Sequence, residues 1–181
     1  MTKKTLSCLL AVFACGATAQ AQFTEFTATL TPEQDGGGAR TGTGLFTLSL
    51  SGTTVTISGE YSGLSGNANA GHIHGPSGLF PETAGVLYNF ATLGLATFSG
   101  PSGTVSGTFE LVPKGTGGAY TVEQQIVDLN NGRWYVNIHS LPNFGGGEIR
   151  GQLTAVPEPG AMALGALGMG LGLMLWRRRS D

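Results

Sequence analysis

Cysteine is almost missing from this chain. There are two in 181 residues, Cys8 and Cys15, and both fall in the first 21. Beyond that point no disulfide, thiolate nucleophile or thiolate metal site can be built. Charge is also scarce, at 11% of residues. Between residues 22 and 155 the only bases are Arg40, Lys114, Arg133 and Arg150, against nine acids, a net charge of −5. A domain so poor in cations has no basic face for nucleic acid. No GxSxG elbow occurs, and no glycine-rich run opens onto a lysine followed by serine or threonine, so neither a hydrolase nucleophile nor a phosphate loop is indicated. Histidine is limited to three residues, yet two of them, His72 and His74, sit one residue apart in AGHIHGP.

What is present divides the chain in three. Lys3 and Lys4 precede an apolar stretch over 6–17, followed by the small-x-small sites Ala17-Thr18-Ala19 and Ala19-Gln20-Ala21. That order predicts a secretory signal peptide over residues 1–21, too short in its apolar part to span a bilayer comfortably. At the other end Val156-Pro157-Glu158-Pro159 leads into an uncharged run over 160–176, then Arg177, Arg178 and Arg179. As a helix the run measures about 25 Å at ~1.5 Å per residue, close to a hydrocarbon core, and predicts a transmembrane helix with the arginines on the cytoplasmic side. Motif, apolar helix and arginine cluster together resemble the PEP-CTERM sorting signal of Gram-negative bacteria. The resemblance implies processing near Pro-Glu-Pro by an exosortase, passage through the inner membrane, and an exopolysaccharide-producing host. Export by the general secretory route to the cell envelope, outer surface or extracellular matrix is the implied destination.

Residues 22–155 read as one β domain. Phe46, Leu48 and Leu50 alternate with Thr47 and Ser49; Val55 and Ile57 alternate with threonines; Val105, Phe109 and Leu111 share a parity. Trp134, Val136 and Ile138 share one face of another stretch, with Tyr135, Asn137 and His139 on the opposite one, and Ile149 and Leu153 alternate with Glu148, Arg150 and Gln152. This period of two predicts half-buried strands. Turn signals fall at 35–38, 51–52, 75–76, 100–101, 130–132 and 145–147. The expected fold is all-β, an antiparallel sandwich or barrel. One short helix is expected after Thr121, with Gln124 completing a capping box, Ile126, Val127 and Leu129 on the apolar side and Asn131-Gly132 at its end. A strand over 120–128 is the alternative.

The stretches His-Ile-His-Gly-Pro at 72–76, Tyr-Val-Asn-Ile-His at 135–139 and Gly-Glu-Ile-Arg-Gly-Gln-Leu at 147–153, with the strands around them, resemble the CHRD domain, named from chordin and also found in bacterial exported proteins. The resemblance spans 23–154 and implies a fold and an exported location, not an activity. A non-enzymatic exported protein is the leading expectation.

The histidines add a second reading. On a strand His72 and His74 project to one side while Ile73 enters the core. Imidazoles so placed suit copper or zinc, and His139 is the one remaining imidazole to complete a three-nitrogen site. A hairpin between 133–139 and 147–153 would bring Glu148 near, as a fourth ligand or as acceptor for an imidazole N–H. Redox or hydrolytic chemistry would follow from such a site. The competing reading is structural: the rings bond to one another, to Asn137, to Glu148 or to loop carbonyls and lock a turn. Glu148 and Arg150 read as a surface ion pair. A third reading, carbohydrate binding, would use Phe80, Tyr88 or Phe144 as exposed aromatics.

Overall fold

In the computed structural model, residues 24–79 and 81–157 are described. Nine strands form two antiparallel sheets. Strands β1 (Thr24–Leu30), β2 (Thr43–Ser51), β3 (Thr54–Ser62), β6 (Gly103–Glu110) and β9 (Thr154–Ala155) make the first, in the order β6-β3-β2-β1-β9. Strands β4 (Asn67–His74), β5 (Val86–Asn89), β7 (Tyr135–Leu141) and β8 (Phe144–Gln152) make the second, in the order β5-β4-β7-β8. One helix, α1 (Val122–Asn130), precedes β7. The sequence reading of an all-β sandwich with one short helix thus describes the architecture. The expected signal peptide over 1–21, the expected membrane helix over 160–176, Glu158, Pro159 and Arg177 to Arg179 lie outside the described residues. Among the described residues no helix is long and apolar enough to cross a membrane.

The first sheet follows the alternation closely. Phe26, Ala28, Leu30, Phe46, Leu48, Leu50, Val55, Ile57, Val105 and Phe109 are buried, and the threonines and serines between them mostly face water. Adjacent strands pair large with small. The ring of Phe46 lies on its cross-strand partner Gly59, where a Cβ would come within 2.3 Å of the ring, and Tyr61 lies likewise on Gly103. Glycine here makes room for aromatic rings inside strands and not for turns. The β2–β3 connection is a two-residue loop, Gly52-Thr53, with Gly52 at φ +59°, as a type II′ turn requires.

The second sheet departs from a half-buried pattern. Tyr135 through Ser140 and Gly147 through Gln152 are all buried, on both faces. One face joins the core through Ile73, Tyr88, Val136, Ile138 and Ile149. The other is roofed by the loops at 31–40 and 76–85. Gln152 N donates to Gln34 Oε1 at 3.2 Å, Asn137 Nδ2 to Asp35 Oδ1 at 3.2 Å, and Arg150 to the Glu82 carbonyl at 2.6 Å. Paired backbone bonds between Thr31 and Arg150, at 2.9 and 3.2 Å, stitch the two sheets together at this corner.

Helix α1 begins as expected, with Gln124 N donating to Thr121 Oγ1 at 3.3 Å, and Gly132 follows its end at φ +66°. The Gln124 side chain does not reach back; it bonds Asp128. The inward face also differs. Gln125 is fully buried and Val127 is half exposed. Gln125 lies on the same helical face as Leu129, and it is satisfied there by Val112 O at 2.8 Å, Tyr120 O at 3.1 Å and the Tyr88 hydroxyl at 2.6 Å. The triglycine at 145–147 is not the β7–β8 turn. The turn is Pro142-Asn143, and the glycines form the irregular start of β8.

Candidate functional site

The register places the three histidines before their geometry is considered. On β4 and β7, His72 is paired with Asn137, His74 with Tyr135 and Ala70 with His139. The pleat sends Gly71, Ile73 and Gly75 to the core and His72 and His74 to the roofed face. The two glycines are demanded by packing. A Cβ on Gly71 would meet Phe98 at 2.6 Å, and one on Gly75 would meet Trp134 at 2.6 Å. So GHIHG is an alternation of core positions, too crowded for side chains at both ends, with imidazoles between them.

The rings converge. His72 and His139 have centroids 4.8 Å apart, His72 and His74 5.4 Å, and His74 and His139 6.0 Å. One nitrogen from each lies within 4.8 Å of the others. His74 and His139 are buried and His72 is half-buried.

Hydrogen bonds assign the tautomers. Ala91 N and Thr92 N donate to Asn89 Oδ1 at 2.9 and 3.2 Å, which turns the Asn89 Nδ2 toward His72 Nε2 at 3.1 Å. His72 Nε2 therefore accepts, and its proton sits on Nδ1, which donates to His139 Nε2 at 3.0 Å. His139 Nδ1–H donates to the Gly145 carbonyl at 3.0 Å, and His74 Nδ1–H to the Ala84 carbonyl at 3.0 Å. The remaining nitrogen, His74 Nε2, is buried and has no partner, as is Asn137 Oδ1.

Two of the rings, His72 and His74, are pushed toward the neutral form. Burial first, then the neighbouring imidazoles of His139 and His74, push His72 down to about 4. Burial also pushes His74 down, against the Ala84 hydrogen bond and with help from His139 and Arg150. His74 stacks on Tyr135 at 4.8 Å with the rings 4° from parallel, and the Arg150 guanidinium lies over Tyr135 at 3.5 Å. Arg150 donates to the carbonyls of Glu82 and Gly78 and to Gln152.

Glu148 is directed away from the imidazoles. It is fully buried, and its carboxylate accepts from Ser140 Oγ, from Ser65 N at 2.7 Å, and from Thr41 N and Oγ1 at 3.2 and 3.4 Å. Burial pushes this carboxyl up, but the Ser140, Ser65 and Thr41 hydrogen bonds outweigh it and hold it below its ordinary value. The expected surface ion pair with Arg150 does not form, because each group is buried in its own polar cradle. The ion pairs among the described residues are Arg40–Asp35 at 3.4 Å and Arg133–Asp128 at 3.0 Å. Of the aromatics read as exposed, Tyr88 is in the core, Phe144 is half-buried beneath Arg40 at 5.0 Å, and Phe80 lies outside the described residues.

Sequence reasoning missed Asn89, Tyr135 and Arg150 as parts of this cluster. Asn89 carried a faint signal in its turn-forming position before Ala91-Thr92. Tyr135 shared the parity of His139, but nothing in the sequence said that Arg150 would stack on it.

A two-sheet exported β domain with a sorting tail is the class that fold and C-terminal pattern define. The sequence model of the CHRD domain matches residues 26–153, and that of the PEP-CTERM protein-sorting motif matches 155–179. The first covers well over half of the chain, which therefore belongs to the CHRD domain family and carries a PEP-CTERM signal. No curated protein and no solved structure matches the chain.

Proposed function

We propose that this chain is a non-enzymatic module, carried by its tail to the cell envelope and displayed there or in the extracellular matrix after exosortase processing near Pro157. The observation that carries the reading is the junction. The domain closes with β9, whose Ala155 pairs with Phe26, and the sorting motif begins at residue 155. Domain and signal meet without a linker, so the tail's processing point lies immediately outside the last hydrogen bond of the fold, Val156 N to Glu25 O at 2.7 Å.

The non-enzymatic part is supported by how the polar groups are used. Glu148, Arg150 and Gln125 are each consumed in bonds to loops and neighbouring strands, an arrangement that rigidifies a fold. The acidic balance of the domain suits a soluble extracytoplasmic module among anionic polymers, with exopolysaccharide as the surrounding matrix.

The test is deletion of residues 157–181 in the native host, followed by fractionation with an antibody to the domain. Release into the medium or periplasm is expected. Retention in the envelope equal to that of the full chain refutes the sorting role.

A further inference from the structure

The three-histidine cluster contains a contradiction that a purely structural lock does not explain. Buried polar atoms in folded proteins are nearly always satisfied. Here His74, stacked on Tyr135 and tied through Nδ1 to Ala84 O, turns its other nitrogen into a buried site with no donor. His139 is set in the same way, with Nδ1–H on a backbone carbonyl and the Nε2 lone pair facing inward. A backbone acceptor behind Nδ1 is the arrangement that presents an imidazole Nε2 to a metal.

We propose that His74 Nε2, His139 Nε2 and His72 Nδ1 form a single copper site. The spacing fits. Metal–nitrogen bonds of about 2.0–2.1 Å place neighbouring ligand nitrogens about 2.9 Å apart at the right angles Cu²⁺ favours and about 3.3 Å apart in a tetrahedron, and His72 Nδ1 and His139 Nε2 stand 3.0 Å apart. One nitrogen from each ring lies within 4.8 Å of the others, so closing the rings on one ion asks for shifts of no more than about 2 Å. The donor set is three imidazoles with no carboxylate, because Glu148 is engaged elsewhere. Imidazole accommodates both copper and zinc, and Cu²⁺ stands above Zn²⁺ in the affinity order for nitrogen donors. His72 is half-buried, which leaves a solvent-facing side through which the ion enters and a water completes its coordination.

One ligand is set against the metal. His72 carries its proton on Nδ1, the coordinating atom, because Asn89 donates to Nε2. Binding requires that proton to move to Nε2 and the Asn89 amide to turn its oxygen toward it, giving up the bonds from Ala91 N and Thr92 N. The cluster is thus a metal site with two ligands ready and a third held back by one amide, and affinity is set by Asn89. An aspartate there accepts from His72 Nε2–H and from the two amides together, and frees Nδ1.

The full untagged chain, purified in detergent and stripped with a chelator, is loaded with Cu²⁺ or Zn²⁺, desalted and analysed for metal, with electron paramagnetic resonance on the copper form. Expected are stoichiometric copper, zinc retained less well, nitrogen splitting from the bound imidazoles, and loss of the ion in His74→Ala. In Asn89→Asp, affinity rises by about tenfold or more, the scale on which a ligand's hydrogen-bond partner acts. Failure of the wild-type chain to retain copper overturns the site, as does equal retention by His74→Ala. Unchanged affinity in Asn89→Asp overturns the role given to Asn89. The wild-type and Asn89→Asp measurements decide the matter even if His74→Ala fails to fold.

Discussion

Replacing Glu148 with glutamine removes a charge from a site where one carboxylate holds three segments. Thr41 lies ahead of β2, Ser65 between β3 and β4, and Ser140 on β7, and all donate to it. A hydrogen bond to a charged group contributes about 1.5–3 kcal/mol, and a neutral one about 0.5–1.5. Glutamine keeps one oxygen for the two backbone amides, and the Ser140 hydroxyl can turn to accept from the new amide. The loss is therefore about 1 kcal/mol on each amide bond. Thr41 and Ser65 are themselves exposed, so water replaces part of the rest. A cost of about 2 kcal/mol is expected for Glu148→Gln, and about 4 for Glu148→Ala, which leaves the donors without an acceptor. The assay is urea unfolding of residues 22–156. With m near 1–3 kcal/mol/M, the glutamine variant shifts the midpoint by about 1 M.

The pH dependence gives a second reading of the same group. Its folded pKa is below the ordinary 4.5. Its stabilisation is therefore complete above that value and is lost as pH falls from there through the folded value. Glu148→Gln should lack this component. A glutamine variant within about 0.5 kcal/mol of wild type at neutral pH, with an unchanged acid limb, refutes the role given to the carboxylate.

Two further perturbations probe the core and the histidines. Gly59→Ala puts a methyl against the Phe46 ring, itself stacked on Phe90 at 6.2 Å; a loss of about 1–3 kcal/mol is expected in thermal unfolding, and an unchanged Tm would show that the ring is free to move. In metal-free protein, His72 has a folded pKa of about 4 against an ordinary 6.5, so protonation favours the unfolded chain, and stability is full above 6.5 and falls as pH drops toward 4. His74, His139, Arg150 and Asp35 all act on this face. Half-burial and screening reduce the effect to about 1–2 kcal/mol, and His72→Gln should lessen the fall in stability between pH 6.5 and 5 without abolishing it, because His74, also pushed down by burial, still contributes there.

The histidine placement was legible because it depends on parity alone. His72 and His74 share a side of any strand, and His139 follows from being the last imidazole. The first sheet was legible for the same reason: Phe46, Val55 and Val105 needed only alternation. What alternation cannot supply is the environment of the second face. Tyr135, Asn137, Glu148 and Arg150 have the spacing of solvent-facing residues, and it is chain from outside the sheet that buries them: the loops at 31–40 and 76–85 over Asn137 and Arg150, and Thr41 and Ser65 over Glu148. Those contacts span long stretches of chain, Thr41 to Glu148 over 107 residues and Asp35 to Asn137 over 102. Gln125 misled for a related reason. A polar side chain belongs inside a helix only when specific carbonyls await it, and Val112 O and Tyr120 O come from an irregular segment with no periodic signal.

The two-residue strand β9 also has a mechanical side. Any tension on the tail arrives at Ala155, on the outermost strand of the first sheet. An antiparallel edge of this length peels apart one hydrogen bond at a time, and each gives way at low force. Behind it stands Leu153, fully buried, with its amide bonded to Trp134 O at 2.9 Å. A pull on the tether should therefore let out a few ångströms of chain and then stop at that plug. If the domain is held by its tail, β9 gives it a short, re-zippable slack there, and its core is sheltered from tugging that goes no further than β9.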